Sequence, residues 1–279
     1  MFRALVLMVF TYFFLHLHTS GNISKYINMK YEYISYIAIF TFAILTIVQI
    51  YNVATTSEEE HCCDHSHEHE KDKPLFWRWI HYGIFIFPLA TGLFLPIATL
   101  DSTLVKSKGF SFQAIEEVEA SDQYAQTQYL RPDTSVYYGK EGYDELMEEE
   151  LKEFTSKKSV VLKDDNYLKG METIYNFPGE FMNKTIEFDG FSFKGESVND
   201  HQLFVLRFGV IHCVADSGAF GMLVEFPEEM DLQDDEWIHV KGKLSSVYYQ
   251  PFKATIPFLL VEEWNTIEEP EDPYTYRMS

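Results

Sequence analysis

Hydropathy divides the first hundred residues into three apolar runs with short polar stretches between them. Residues 2–17, FRALVLMVFTYFFLHL, carry one charge at Arg3 and are then uncharged. Such a run is a signal peptide or a membrane helix. No A-x-A-like cleavage site follows, and HTSGNISKYINMKYEY has the aromatic character of an interfacial loop, so an uncleaved helix is expected. Residues 34–54 contain no charge over 21 positions, which at about 1.5 Å per residue spans a hydrocarbon layer of about 30 Å. Their β-branched residues suit strands in water, but lipid demands internally satisfied backbone bonds, and a helix provides them. Residues 79–100 repeat the pattern behind Trp77, Arg78 and Trp79, with Pro88 and Pro96 expected to kink the helix. Three transmembrane helices in residues 1–100 are the expectation.

Beyond residue 158 the period changes from helical to alternating. KTIEFDGFSFKG, QLFVLRFGVIHC, FGMLVEF, EWIHVKGKLSSVYY and ATIPFLLVEEW read as five strands, after a short helix near Asn166 to Tyr175. Turn residues lie at 195–200, 216–218 and 227–235, and Gly190 and Gly242 sit inside strands, where a small barrel bends sharply. The expected fold is a mostly β C-terminal domain, an OB-like five-stranded barrel over residues 159–279. Residues 101–158 read as an acidic linker or stalk. It includes a helix over YDELMEEELKEF with an apolar stripe of Leu146, Met147, Leu151 and Phe154, the mark of a packing face.

Charge sharpens this division. The chain has a formal net charge of −21, and residues 101–279 hold 16 Lys and Arg against 35 Asp and Glu. That field repels phosphate backbones, which excludes a general nucleic-acid role and favours cations or a basic protein face. Three cysteines, two of them adjacent, make no disulfide framework. No Ser-His-Asp order, phosphate loop or HExxH occurs, so an enzyme is not expected.

The densest chemistry lies in a loop over residues 57–73, SEEEHCCDHSHEHEKDK, which brings His61, Cys62, Cys63, His65, His67 and His69 within nine residues. Imidazole and thiolate are preferred ligands of zinc and other divalent transition metals, and the flanking carboxylates raise the local cation concentration. The spacing matches no closed structural site, so the loop reads as an exchanging, metal-loading tract or, without a ligand, as a solvated polar loop. A second group, Arg207, His212, Cys213 and Asp216, clusters at a strand end in RFGVIHCVADSGAFGM. It can bind metal. The same residues equally suit a structural role, with Cys213 a core thiol, Asp216 capping a turn and Arg207 a surface charge. His16 and His18 close the first apolar run, where a histidine caps or snorkels more often than it conducts.

The spans contain no acidic residue, so this chain does not enclose a transport path by itself. Lys and Arg tie in number across the two sides; Arg3 before the first span and Arg78 at the third place the N-terminus inside and the C-terminal domain outside the cytoplasm.

The start YFFLHLHTSGNISKYINMKY, the segment FGVIHCVADSGAFGMLVEF, the W-I-H-V-K-G strand and the terminal PEDPYTY together resemble the YcgQ-type family, over nearly the whole chain. The resemblance implies a multi-pass cell-membrane protein, an accessory subunit of a two-component permease working beside a larger multi-span YcgR-type permease, with a link to zinc homeostasis. It also implies that the family's cysteine-aspartate turn falls on Cys213, Ala215 and Asp216 and its membrane-end histidine pair on His16 and His18. His212 stands where relatives carry a first cysteine. The alternative function is a membrane-tethered metal- or ligand-sensing module acting without a permease.

Overall fold

The computed structural model describes residues 2–56, 75–95, 129–195, 200–252 and 254–277. The chain divides into two compact units, Met1–Thr99 and Leu100–Ser279.

The first unit is helical: α1 (Phe2–Thr19), α2 (Glu32–Thr56) and α3 (Leu75–Phe94), with two short 3₁₀ turns between the first two. Phe42 of α2 meets Phe10 at 5.6 Å and Phe14 at 6.1 Å, while Ser35 meets His18. The contacts run in opposite order along the two helices, which makes α1 and α2 an antiparallel hairpin. Both are long and apolar enough to cross a membrane. They are not core helices, because large side chains such as Ile37, Phe40, Ile47 and Tyr51 of α2 are exposed. The hydroxyls of Thr11, Thr41, Thr46, Thr55 and Thr91 each bond the carbonyl four residues earlier. That pattern lets polar residues sit in an apolar medium, since each donor is satisfied within its own helix. The third apolar run is also helical, but its described apolar stretch, Gly83–Phe94, is shorter than the other two.

The second unit is mostly β. Its elements are β1 (Tyr129–Leu130), α4 (Ser135–Thr155), β2 (Ser159–Leu162), α5 (Tyr167–Asn176), α6 (Pro178–Phe181), β3 (Thr185–Phe193), β4 (Gln202–Val210), β5 (Gly218–Glu225), β6 (Trp237–Tyr249), β7 (Ala254–Thr266) and β8 (Tyr274–Tyr276). The five expected strands are β3 to β7. They close a ring in which β3 pairs β4, β4 pairs β5, β5 pairs β7, β7 pairs β6 and β6 returns to β3. Only the β5–β7 pairing within the ring is parallel. The short strands β1, β2 and β8 join its outside, each parallel to its partner. Gly190 and Gly242 mark the bends. A Cβ at Gly190 would lie 2.6 Å from the Leu206 carbonyl oxygen, and one at Gly242 would collide with that of Leu260, at the point where the β6–β7 register shifts.

Two apolar cores result. One fills the ring beneath α5, with Leu168, Met171 and Ile174 against Phe188, Val205, Phe220 and Leu259. The other gathers aromatics of the outer wall, where Phe191 stacks on Phe208 at 4.9 Å and Phe204 meets Tyr249 edge-on at 5.6 Å. Each such buried side chain contributes about 1.5–3 kcal/mol.

The apolar stripe of α4 faces the first core through Phe154, with Leu151 alongside, and Met147 of the same stripe is buried. Glu150 lies in the same stripe and is buried too. Its carboxylate accepts two bonds from Arg277 Nη2, at 2.7 and 2.9 Å. Arg277 Nε donates to Glu172 Oε2 of α5 at 3.2 Å. The other oxygen of Glu172 accepts from the Thr134 amide and hydroxyl, each at 2.8 Å, and from the Tyr143 hydroxyl at 3.0 Å. Burial pushes the Glu150 carboxyl up from its ordinary range, and the Arg277 charge works against that shift.

Burial, followed by the charge of Glu172, pushes the Tyr143 phenol up from 10.0 to about 12. A phenol raised in the folded state adds stability below its unfolded value and loses it as pH rises through the folded one. Stability should therefore hold up to about pH 10 and fall between 10 and about 12. Denaturation at stepped alkaline pH checks this: Tyr143→Phe should flatten that part of the limb, and an unchanged limb in the variant would refute the assignment.

Candidate functional site

The turn between β4 and β5 is built around one carboxylate. Leaving β4, the chain passes Ile211 and His212, then makes a single 3₁₀ turn over Val214–Asp216 before β5 begins at Gly218. Asp216 folds back over that turn. Its carboxylate accepts the His212 amide at 3.0 Å and the Cys213 amide at 2.9 Å, and the Asp216 amide donates to the Cys213 carbonyl at 3.0 Å. The Asp216 Oδ2 atom also lies 2.8 Å from His212 Nδ1. A carboxylate only accepts, so Nδ1 carries the hydrogen and the ring is held in one orientation. Tyr137, near the start of α4, packs its ring 4.2 Å from that of His212 and donates its hydroxyl to Asp216 at 3.4 Å. Burial and the Asp216 charge raise the Tyr137 phenol above its ordinary value. A fixed imidazole beside a partly exposed free thiol, Cys213, is chemically suited to meet a soft or borderline cation, with Asp216 as the group that orients it.

Arg207 belongs to another neighbourhood. It is buried, whereas its position in the strand suggested a surface charge; it pairs with Asp164 and lies between the Tyr167 and Trp237 rings, 5.6 Å from each. His18 is likewise engaged locally. Its Nε2 is 2.7 Å from Ser35 Oγ, its Nδ1 is 3.4 Å from Glu32, and its ring stacks on Tyr36 at 4.2 Å. Ser35 gives its hydrogen to the Glu32 carbonyl, so its oxygen is an acceptor for the histidine. These contacts clasp the end of α1 to the start of α2. His16 is set apart, stacking on Tyr12 at 6.0 Å. The loop residues His61, Cys62, Cys63, His65, His67 and His69 lie outside the described residues. Among the described residues, no three His, Cys, Asp or Glu side chains converge as a metal cage.

Sequence reasoning missed Tyr137, which is 79 positions from Asp216 and lies in an unpatterned stretch. It also missed Glu172 and Arg277, which read as surface charges in a polar sequence.

Residues 2–111 match the DUF1980 N-terminal domain and residues 137–277 the DUF1980 C-terminal domain. The chain belongs to the DUF1980 family. It is 59% identical to the UPF0703 protein YcgQ of Bacillus subtilis (strain 168), over 99% of both chains. It is also 34% identical, over the full length of both, to a Streptococcus mutans serotype c protein titled "Putative two-component membrane permease complex subunit". The resemblance to YcgQ-type proteins therefore holds along nearly the whole chain.

Replacing Asp216 by Ala leaves two turn amides and an imidazole N–H without their acceptor, at about 1–3 kcal/mol for each buried donor that water does not reach. Hydrogen exchange on the full chain should show the amides of His212 and Cys213 opening more readily by at least one such increment. Unchanged protection of those amides would show that the carboxylate does not organise the turn.

Proposed function

We propose that this chain is an accessory membrane subunit of a two-component permease that serves divalent metal homeostasis, with zinc the best-suited cargo. The observation that carries the reading is the chemistry of the apolar helices. Their threonine hydroxyls are spent on their own backbones, and α1 and α2 carry no charged residue between Arg3 and Glu32 or from Tyr33 to Thr56 other than Lys25 and Lys30 of the connecting loop. A cation crossing here would find no polar path, so a path requires helices from another subunit. Full-length similarity to a protein titled as a permease complex subunit supports the same assignment.

In this reading α3 is the third span, and the C-terminal domain lies outside the cytoplasm. We take the ring of β3 to β7 as an OB-like barrel, a reading supported by its strand order and its one parallel pairing. The acidic barrel gathers cations within a Debye length, about 8 Å at physiological salt. His61 to His69 load and release metal, and the turn with His212 and Cys213 meets it at the barrel. The protein is not an enzyme in this account, and its lasting partners are the larger permease subunit and the bilayer.

Strains lacking this gene, the gene of the larger subunit, or both should share one metal-dependent growth defect, the double deletion being no worse than either single one. Transport by this chain alone in liposomes would contradict the reading and favour an independent sensing module. A peptide of residues 57–73 should bind Zn²⁺ by calorimetry, and more weakly as pH falls and its imidazoles protonate. Equal binding by a peptide with the six His and Cys changed to Ser would remove the loop from the account.

A further inference from the structure

The two halves of α3 have different surroundings. From Leu89 to Gly92 the helix is packed: Leu89 is buried, and a Cβ at Gly92 would lie 2.8 Å from the Phe13 ring, so this glycine is the place where α1 and α3 come together. From Gly83 to Pro88 every residue is exposed, with Ile84 at 61% and Phe87 at 70%. Among the described residues, outside its own turn of helix, nothing lies within 4 Å of where a Cβ on Gly83 would stand. Of two glycines that each offer a close approach, one is already used within the chain.

Pro88 lies inside the helix at the boundary between these halves. It has no N–H, so the Ile84 carbonyl loses the partner that a helix supplies four residues later. The Thr91 hydroxyl, one turn further along the helix, is directed to the Phe87 and Pro88 carbonyls at 3.1 Å each. Hydrocarbon has no donor to offer the Ile84 oxygen, and lipid cannot use the notch at Gly83 as a second backbone can. Gly83, Ile84, Phe87 and Pro88 fall within one arc of about 140° on a helix advancing about 100° per residue.

We propose that this arc of α3 is the seat of a helix from another membrane polypeptide, which lies against Gly83 and gives a side-chain hydrogen bond to the Ile84 carbonyl. The proposal rests on the permease-subunit reading and names the face by which the larger subunit is held. The seat selects a helix carrying a Ser, Thr, Asn or Gln at the crossing point.

The test is made on the full chain in its native membranes, isolated with a mild detergent. A photo-crosslinking residue in place of Phe87 should form an adduct with the larger multi-span subunit, identified by mass spectrometry, while the same residue in place of Ile47 on α2 should label lipid. Gly83→Leu should reduce co-purification of that subunit at least tenfold, and Gly83→Ala should reduce it less. Intact α1–α3 packing in both variants, read from a cysteine pair placed beside Phe13 and Gly92, shows that the chain has folded. A larger subunit that co-purifies undiminished with Gly83→Leu, or cross-links from position 87 only to lipid or to a second copy of this chain, overturns the seat and leaves the subunit reading standing. Absence of any larger subunit from the wild-type preparation overturns both.

Discussion

The carboxylate of Glu172 joins the start of α4, α5 and the segment that follows β8. It accepts from Thr134 where α4 begins and from Tyr143 nine residues further along, and it meets Arg277 two residues before the last one of the sequence. Arg277 then reaches Glu150 in the middle of α4. Taking an isolated charge out of water costs several kcal/mol, so two buried carboxylates are tolerable here only because an arginine and three neutral donors meet them. Breaking such a network from one side costs about 3–5 kcal/mol, while a wholly apolar replacement is often neutral. The network therefore acts on arrangement more than on net stability. It fixes which face of α4 turns inward, and it keeps the last strand, β8, parallel against β4.

The same principle operates in the helical unit, with smaller groups. The hydroxyls of Thr11, Thr41, Thr46, Thr55 and Thr91 are satisfied within their own helices, and His18 finds both Ser35 and Glu32 at the turn from α1 to α2. In both units these polar groups find their partners within the chain, whereas the buried Nε atoms of Arg131 and Arg207 do not. Pro88 takes from the Ile84 carbonyl the N–H that a helix supplies four residues later, which a lipid environment does not replace. In the proposed subunit reading, the partner helix also completes this hydrogen bonding.

Much of this was legible in the sequence. Uncharged runs of about twenty residues leave little choice but helices in lipid, and strict alternation marked β3 to β7 within a few residues. The short strands β1, β2 and β8, of two to four residues, carry too little pattern to be seen and depend on the ring for their pairing. At the candidate turn, the capping role of Asp216 was one of the two readings the sequence allowed, beside metal binding. The burial of Arg207 did not, since its rings and its carboxylate come from segments up to 43 positions away. Glu150 was hidden in the acidic run ELMEEELKE, where only the register of the apolar stripe distinguishes the inward glutamate from its neighbours. Long-range pairing of buried charges leaves no local signature, and that is why the network on which the unit depends was its least readable part.

A double-mutant cycle on Glu172→Gln and Arg277→Met, read as the opening free energy of α4 amides by hydrogen exchange on the full chain, tests this account most directly. Each single change should strip protection from α4, since it removes one charge from the buried network and leaves the remaining charges unbalanced. The double variant should recover part of the loss, giving a coupling of about 0.5–3 kcal/mol between the two sites. Strictly additive effects, or single variants whose α4 remains as protected as in the wild type, would contradict the claim that this buried ion network positions the helix.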